Sequence, residues 1–123
     1  MSYVLNDSQP IFLQIAERIE NDIISGDLPE ESQAPSTNQF ASFYQINPAT
    51  AAKGVNLLVD EGILYKKRGL GMYVATGARA RLREKRKNQF FEQYVVTMLQ
   101  EAEKLGITTE QLTEMIQRGV KVR

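Results

Sequence analysis

Two helix-start signals in quick succession, followed by a glycine-tipped basic hairpin, fill residues 34–74 and leave this chain few folds to adopt. Ser36-Thr37-Asn38-Gln39 is a capping box, in which the serine hydroxyl takes the N–H three residues on and the glutamine reaches back. The short helix it opens runs to Tyr44, with Phe40, Ala41 and Tyr44 inward. Gln45-Ile46 makes a turn, Asn47 caps the next helix and Pro48 opens it. Ala51, Val55, Leu58 and Val59 form its buried stripe. Ala49, Thr50, Lys53 and Asn56 fall on its other faces. Gly62 ends it. Strands are predicted at 63–67 and 72–75, joined by Arg68-Gly69-Leu70-Gly71, whose glycines supply the positive φ angles of a tight hairpin. The spacing predicts a helix-turn-helix followed by a wing.

The flanks are helical. Ser8 or Gln9 can cap a first helix, Pro10 suits its first turn, and Ile11, Ile15, Ile19 and Ile23 recur at spacing four until Gly26. Tyr3-Val4-Leu5 reads as a short strand, and residues 27–34 as a polar loop. From Ala78 a helix runs to Leu105, with Phe90, Phe91, Tyr94, Val95, Met98 and Ala102 as its apolar stripe. Gly106 ends it. Thr108-Thr109-Glu110-Gln111 is a second capping box, before a last helix from Gln111 to Arg118 that turns Leu112, Met115 and Ile116 inward. The expected fold is mainly α with a small β-hairpin. Residues 1–75 form a winged helix-turn-helix domain, and 76–123 a tail of two helices.

Composition excludes most chemistry. The 123 residues contain no cysteine and no histidine, which removes thiol nucleophiles, histidine–carboxylate catalysis and the usual zinc sites. No acid–base pair or nucleophile stands out, so neither an enzyme nor a cofactor is expected. There is no apolar run long enough for a membrane span and no secretory pattern at the start, which points to a cytoplasmic protein. Net charge is zero, but its distribution is uneven. Residues 1–61 carry two basic groups against nine acidic ones. Residues 62–87 carry nine basic groups and one acidic group, a balance of +8. Such a block marks an interaction segment or a solvated helix face.

These residues suit double-stranded DNA. The second helix of such a pair presents its N-terminal end to the major groove, where its free N–H groups favour a phosphate. Asn47 can reach a phosphate or adenine, or simply cap. Thr50 can meet a phosphate or a thymine methyl, and Lys53 is the only basic residue on this helix. Ser36 caps, yet can also hold a phosphate. In the wing, Lys66, Lys67 and Arg68 flank a narrow tip. Arg68 suits minor-groove insertion and Gly69 a close backbone approach. The block from Arg79 to Lys87 either lies over flanking phosphates or is solvated. The tail's stripe is wide for so little remaining chain, so Phe90, Phe91, Tyr94, Val95, Met98, Leu112, Met115 and Ile116 are expected to bury against a second subunit. Folding back on the winged domain is the other outcome.

The ordered set Pro10-Ile11-Phe12-Leu13-Gln14-Ile15, Pro35-Ser36, Phe40-Ala41, Asn47-Pro48-Ala49-Thr50, Glu61-Gly62-Ile63 and Arg68-Gly69-Leu70-Gly71-Met72-Tyr73-Val74 resembles the GntR family of bacterial transcription regulators. The short tail is similar to that of the small YtrA-type subfamily. The resemblance implies a homodimeric repressor, binding a pseudo-palindromic operator and often controlling a neighbouring transporter operon. It implies DNA contacts at Ser36, Asn38, Asn47, Ala49, Thr50, Lys53, Lys66, Lys67, Arg68 and Gly69. Two departures stand out. Asn38 occupies the place of the family's usual DNA-touching arginine, and Gly54 sits within the recognition helix. The alternative is an architectural or protein-interaction module without strong sequence specificity. How the protein is switched is not written in the chain, and a small-molecule effector lodged between subunits is compatible with it.

Overall fold

The computed structural model describes residues 4–123. Helix α1 spans Ile11–Ser25. Pro10 itself is the N-cap and no side chain caps the helix, so Ser8 and Gln9 do not play that part. Instead Gln14, almost fully buried, reaches back. Its side-chain amide donates to the carbonyls of Asn6 and Gln9, both at 2.7 Å, and its Oε1 accepts the Asn6 N–H at 2.9 Å. Both its N–H donors and its oxygen are engaged, which is what lets an amide sit in a core. The strand expected at 3–5 is not formed at residues 4 and 5, and Tyr3 lies outside the described residues.

Helices α2 (Thr37–Tyr44) and α3 (Pro48–Asp60) are the capped pair. Ser36 and Gln39 make both halves of the capping box. Gln45 turns the chain in a left-handed conformation, φ 54°, and Asn47 caps α3. Ile15, Ile19 and Ile23 of α1 meet Phe40 and Ala41 of α2 and Ala51, Val55 and Leu58 of α3 in one core. Gly54 sets how closely α1 and α3 cross. A Cβ there would lie 2.6 Å from the Phe12 carbonyl oxygen and 3.0 Å from Ile15 Cβ.

Strands β1 (Leu64–Lys67) and β2 (Gly71–Val74) pair antiparallel, with Leu64 opposite Val74, Tyr65 opposite Tyr73, and Lys66 opposite Met72. The segment read as a polar loop joins this hairpin. Glu31 N–H donates to Val74 O at 2.8 Å, Val74 N–H to Ser32 O at 3.0 Å, and Ala34 N–H to Met72 O at 2.8 Å. Gln33 and Tyr73 form a bridge. Residues 31–34 thus satisfy the outer edge of β2, which a two-stranded wing would leave open.

Helix α4 (Ala78–Phe90) follows, and the chain divides into compact units Met1–Glu84 and Lys85–Arg123. The first turns of α4 belong to the first unit, because Ala78 and Leu82 are fully buried in its core. In the second unit a π-helical turn, Phe91–Val96, leads into α5 (Thr97–Lys104), and α6 covers Thr109–Val122 behind the Thr108 capping box. The last helix therefore starts earlier and ends later than 111–118. Ala102 and Leu112 are the buried apolar residues among this unit's described ones.

Gly54→Ala tests the crossing of α1 and α3. Overpacking costs about 1–3 kcal/mol, while alanine gains about 1 kcal/mol of helix propensity over glycine. A net loss is expected, read as a lower urea midpoint. An unchanged or higher midpoint would show that the crossing has slack.

Candidate nucleic-acid interface

All ten candidate DNA contacts fall within the first compact unit. Ser36 and Asn38 stand exposed at the start of α2. Ser36 Oγ accepts the Gln39 N–H at 3.1 Å, and its own N–H donates to Gln39 Oε1 at 2.7 Å. Asn47 is a cap, as its Oδ1 accepts the Ala49 N–H at 2.8 Å. The cap uses only the oxygen, so the amide's two N–H donors remain chemically suited to a phosphate or a base edge. Ala49 and Lys53 are exposed one turn apart on α3, and Thr50 is half-buried. Lys53 Nζ lies over the Phe12 ring, 4.1 Å from its centroid. Phe12, Ala49, Ala52, Lys53, Asn56, Leu57 and Asp60 line a shallow groove beside this end of the core.

The wing separates its cations by strand alternation. Lys66 is paired with Met72 and shares the face of Leu64 and Val74. Lys67 shares the opposite face with Tyr65 and Tyr73. Lys67 Nζ sits 4.1 Å above the Tyr73 ring and 5.9 Å from that of Tyr65. Arg68 and Gly69 are exposed at the tip, where Gly69 adopts φ 78° and a Cβ added to it would have nothing within 4 Å. Gly71, at φ 108°, has Gln33 against it. The Gln33 Nε2 donates to the Leu70 carbonyl at 2.7 Å and would lie 2.9 Å from a Cβ at Gly71.

Two residues of the basic block serve the fold. Arg79 Nε donates to the Ile24 carbonyl at 3.0 Å, near the end of α1, and Arg81 Nη2 to the Gly62 carbonyl at 2.6 Å, just past α3. Both satisfy carbonyls where helix dipoles place partial negative charge. Sequence reasoning also missed Gln33 and Glu31. Glu31 adopts φ 64°, and its carboxylate accepts from the hydroxyls of Tyr65 and Thr76, the latter at 2.6 Å. Its neighbour Glu30 accepts the Gly77 N–H. Nothing in a polar stretch rich in turn formers announces such long-range partners. The eight apolar tail residues all lie in the second unit, where Phe90, Phe91, Tyr94, Met115 and Ile116 are exposed, Val95 and Met98 are half-buried, and Leu112 is buried.

This architecture defines a class, the winged helix-turn-helix regulators, and the comparisons identify the family. Residues 12–74 match the family described as "Bacterial regulatory proteins, gntR family". The chain belongs to it, and is a transcription regulator rather than an enzyme. It is 29% identical over 109 residues to the HTH-type transcriptional repressor YtrA of Bacillus subtilis, covering 89% of this chain and 83% of YtrA. It is 33% identical over 66 residues to the HTH-type transcriptional repressor NagR of the same organism, covering 54% of this chain but only 27% of NagR. Among solved structures it is similar to a putative GntR-family regulator from Bacteroides thetaiotaomicron, at 32% identity and TM-score 0.76 over 90% of this chain and 96% of the other. It is also similar to AraR(DBD) in complex with operator ORX1, at 25% identity and TM-score 0.54 over 58% of this chain and 93% of the other. Among the described residues no helix is long and apolar enough to cross a membrane.

The Glu31 cluster carries a pH signature. Hydrogen bonds from Thr76 and Tyr65, helped by Lys67, hold its carboxyl below the ordinary 4.5. The Glu31 bond raises the Tyr65 phenol above 10.0. A lowered acid stabilises the fold above its unfolded value and loses that effect as pH falls through the folded one. A raised phenol contributes below its unfolded value and loses this as pH rises through the folded one. Wild type should therefore exceed Glu31→Gln in stability at neutral pH, with the gap closing as pH falls from above 4.5 through the lowered folded value. Urea titrations across that range check it, and a pH-independent gap would reject the assignment.

Proposed function

We propose that this chain is a dimeric repressor that reads a pseudo-palindromic operator with α3 and grips the adjacent backbone with its wing. The supporting observation is the contrast between its two units. The first is a closed winged helix-turn-helix with a full apolar core and with Lys53, Lys66 and Arg68 exposed. The second leaves Phe90, Phe91, Tyr94, Leu105, Met115 and Ile116 exposed. A unit of this size rarely supports itself without oligomerisation, and an apolar groove of about 370 Å³ between α5 and α6 invites cover by a second copy. A twofold pair of winged units requires two half-sites a helical turn or more apart. YtrA and NagR are both named repressors, which favours repression. The family resemblance points to a neighbouring transporter operon as the target.

A duplex carrying the inverted repeat from the protein's own promoter should bind far more tightly than a scrambled duplex at physiological salt. Equal affinities would sink the operator reading. Arg68→Ala and Lys66→Ala should each lower the slope of log affinity against log salt by about one unit. Unchanged slopes would place the wing away from the backbone.

Tyr94→Glu places a charge on the exposed apolar face. Sedimentation should show a dimer for wild type and a monomer for the variant, with loss of full-operator affinity. A variant that stays dimeric would relocate the interface.

A further inference from the structure

Lys53 is the one cation on the recognition helix, and its partner comes from another element. The lysine stem is flexible and its ammonium strongly hydrated, so an unrestrained lysine is a poorly defined probe of a groove. Here Nζ rests over the face of Phe12, 4.1 Å from the ring centroid. That ring arrives from α1 because α1 approaches α3 closely at the next residue, Gly54, where the Phe12 carbonyl occupies the space a side chain would need. We infer that Phe12 is a positioning residue for DNA recognition, holding the Lys53 ammonium in a defined place on the outward face of α3. The inference rests on the operator reading above.

An ammonium has three donors. Over a ring face one N–H points at the π-system, which attracts it electrostatically. The others remain for a phosphate oxygen or the acceptors of guanine, so pairing and contact are compatible. Gly54 then has two consequences in one place: it tightens the core and delivers an aromatic face to the neighbouring cation. Phe12 itself touches no DNA and acts through Lys53 alone.

A double-mutant cycle on the full chain tests this, using fluorescence anisotropy with the promoter-repeat duplex and a scrambled control. Phe12→Leu keeps apolar bulk but removes the ring face, and should weaken operator binding roughly threefold, the size of an exposed cation–π contact. Phe12→Tyr restores the ring and should bind as wild type does. In a Lys53→Met background, Phe12→Leu should cost nothing further. An equal cost in both backgrounds would reduce Phe12 to a packing residue, and tighter binding by Phe12→Leu would mean that the ring sequesters Lys53. Either outcome overturns the inference. The free protein offers a second measurement that needs no variant. The Lys53 ε-methylene protons should resonate upfield of those of exposed lysines through the ring current, and ordinary shifts would overturn the pairing. Failure of wild type to prefer the operator over the scrambled duplex would instead remove the operator reading, leaving the pairing to be decided by the resonance shift.

Discussion

The closeness of α1 to α3 at Gly54 is the constraint on which the first unit depends. With no side chain there, the Phe12 carbonyl and Ile15 come within van der Waals reach of the α3 backbone. The isoleucine ladder Ile15, Ile19 and Ile23 can then meet Ala51, Val55 and Leu58 directly, and Phe40 and Ala41 of α2 close the core. Burying each large side chain of this set is worth about 1.5–3 kcal/mol, so a small displacement of α1 is felt across the whole core. The helix-interior cost of glycine, about 1 kcal/mol, is small beside that. The same crossing buries Ala51, Gly54 and Val55 and leaves Ala49, Lys53 and Asn56 exposed, so α3 packs with one face and presents the other to solvent.

Charge is divided between fold and surface more finely than a basic block suggests. Arg79 and Arg81 face helix-end carbonyls, and with the buried Ala78 and Leu82 they weld the start of α4 to the winged unit. Glu30 and Glu31 tie the residues before α4 to the segment beside β2. In the wing the two adjacent lysines point to opposite faces. Lys67 lies over the Tyr73 ring on the tyrosine side, while Lys66 and Arg68 are exposed. A net charge of zero conceals all of this, because acid and base sit on different parts of the chain.

Features written in local chemistry were legible in the sequence. The capping boxes at Ser36 and Thr108, the Asn47-Pro48 helix start and the glycine-tipped hairpin depend on residues within a few positions of each other, and all formed. What escaped depends on partners distant in sequence. Gln33 meets Leu70, Glu31 meets Tyr65 and Thr76, and Arg79 meets Ile24, pairings that no periodicity encodes. Of the candidate site, the residue types and their outward placement could be read. The Phe12 ring under Lys53 could not, because it requires the tertiary crossing first. Asn38 was recognisable as a departure from the family, and the structure places it, exposed, in the first turn of α2.

The second unit shows why an apolar stripe must be read together with its helix type. An uninterrupted α-helix lines up Phe91, Val95, Met98 and Ala102, since residues three and four apart share a face. A π-helical turn at Phe91–Val96 adds about one residue to the turn and rotates the helix beyond it by roughly 100°. The apolar side chains before and after it then spread over a wider arc than one stripe. Phe90, Phe91 and Tyr94 all stay exposed, while Ala102 and Leu112 alone are buried among the described apolar residues there. Two short helices cannot cover an arc of that width from their own side chains. In the dimer proposed above, a second copy presents an identical arc, and twofold pairing lets each cover the other without a new sequence having to be encoded.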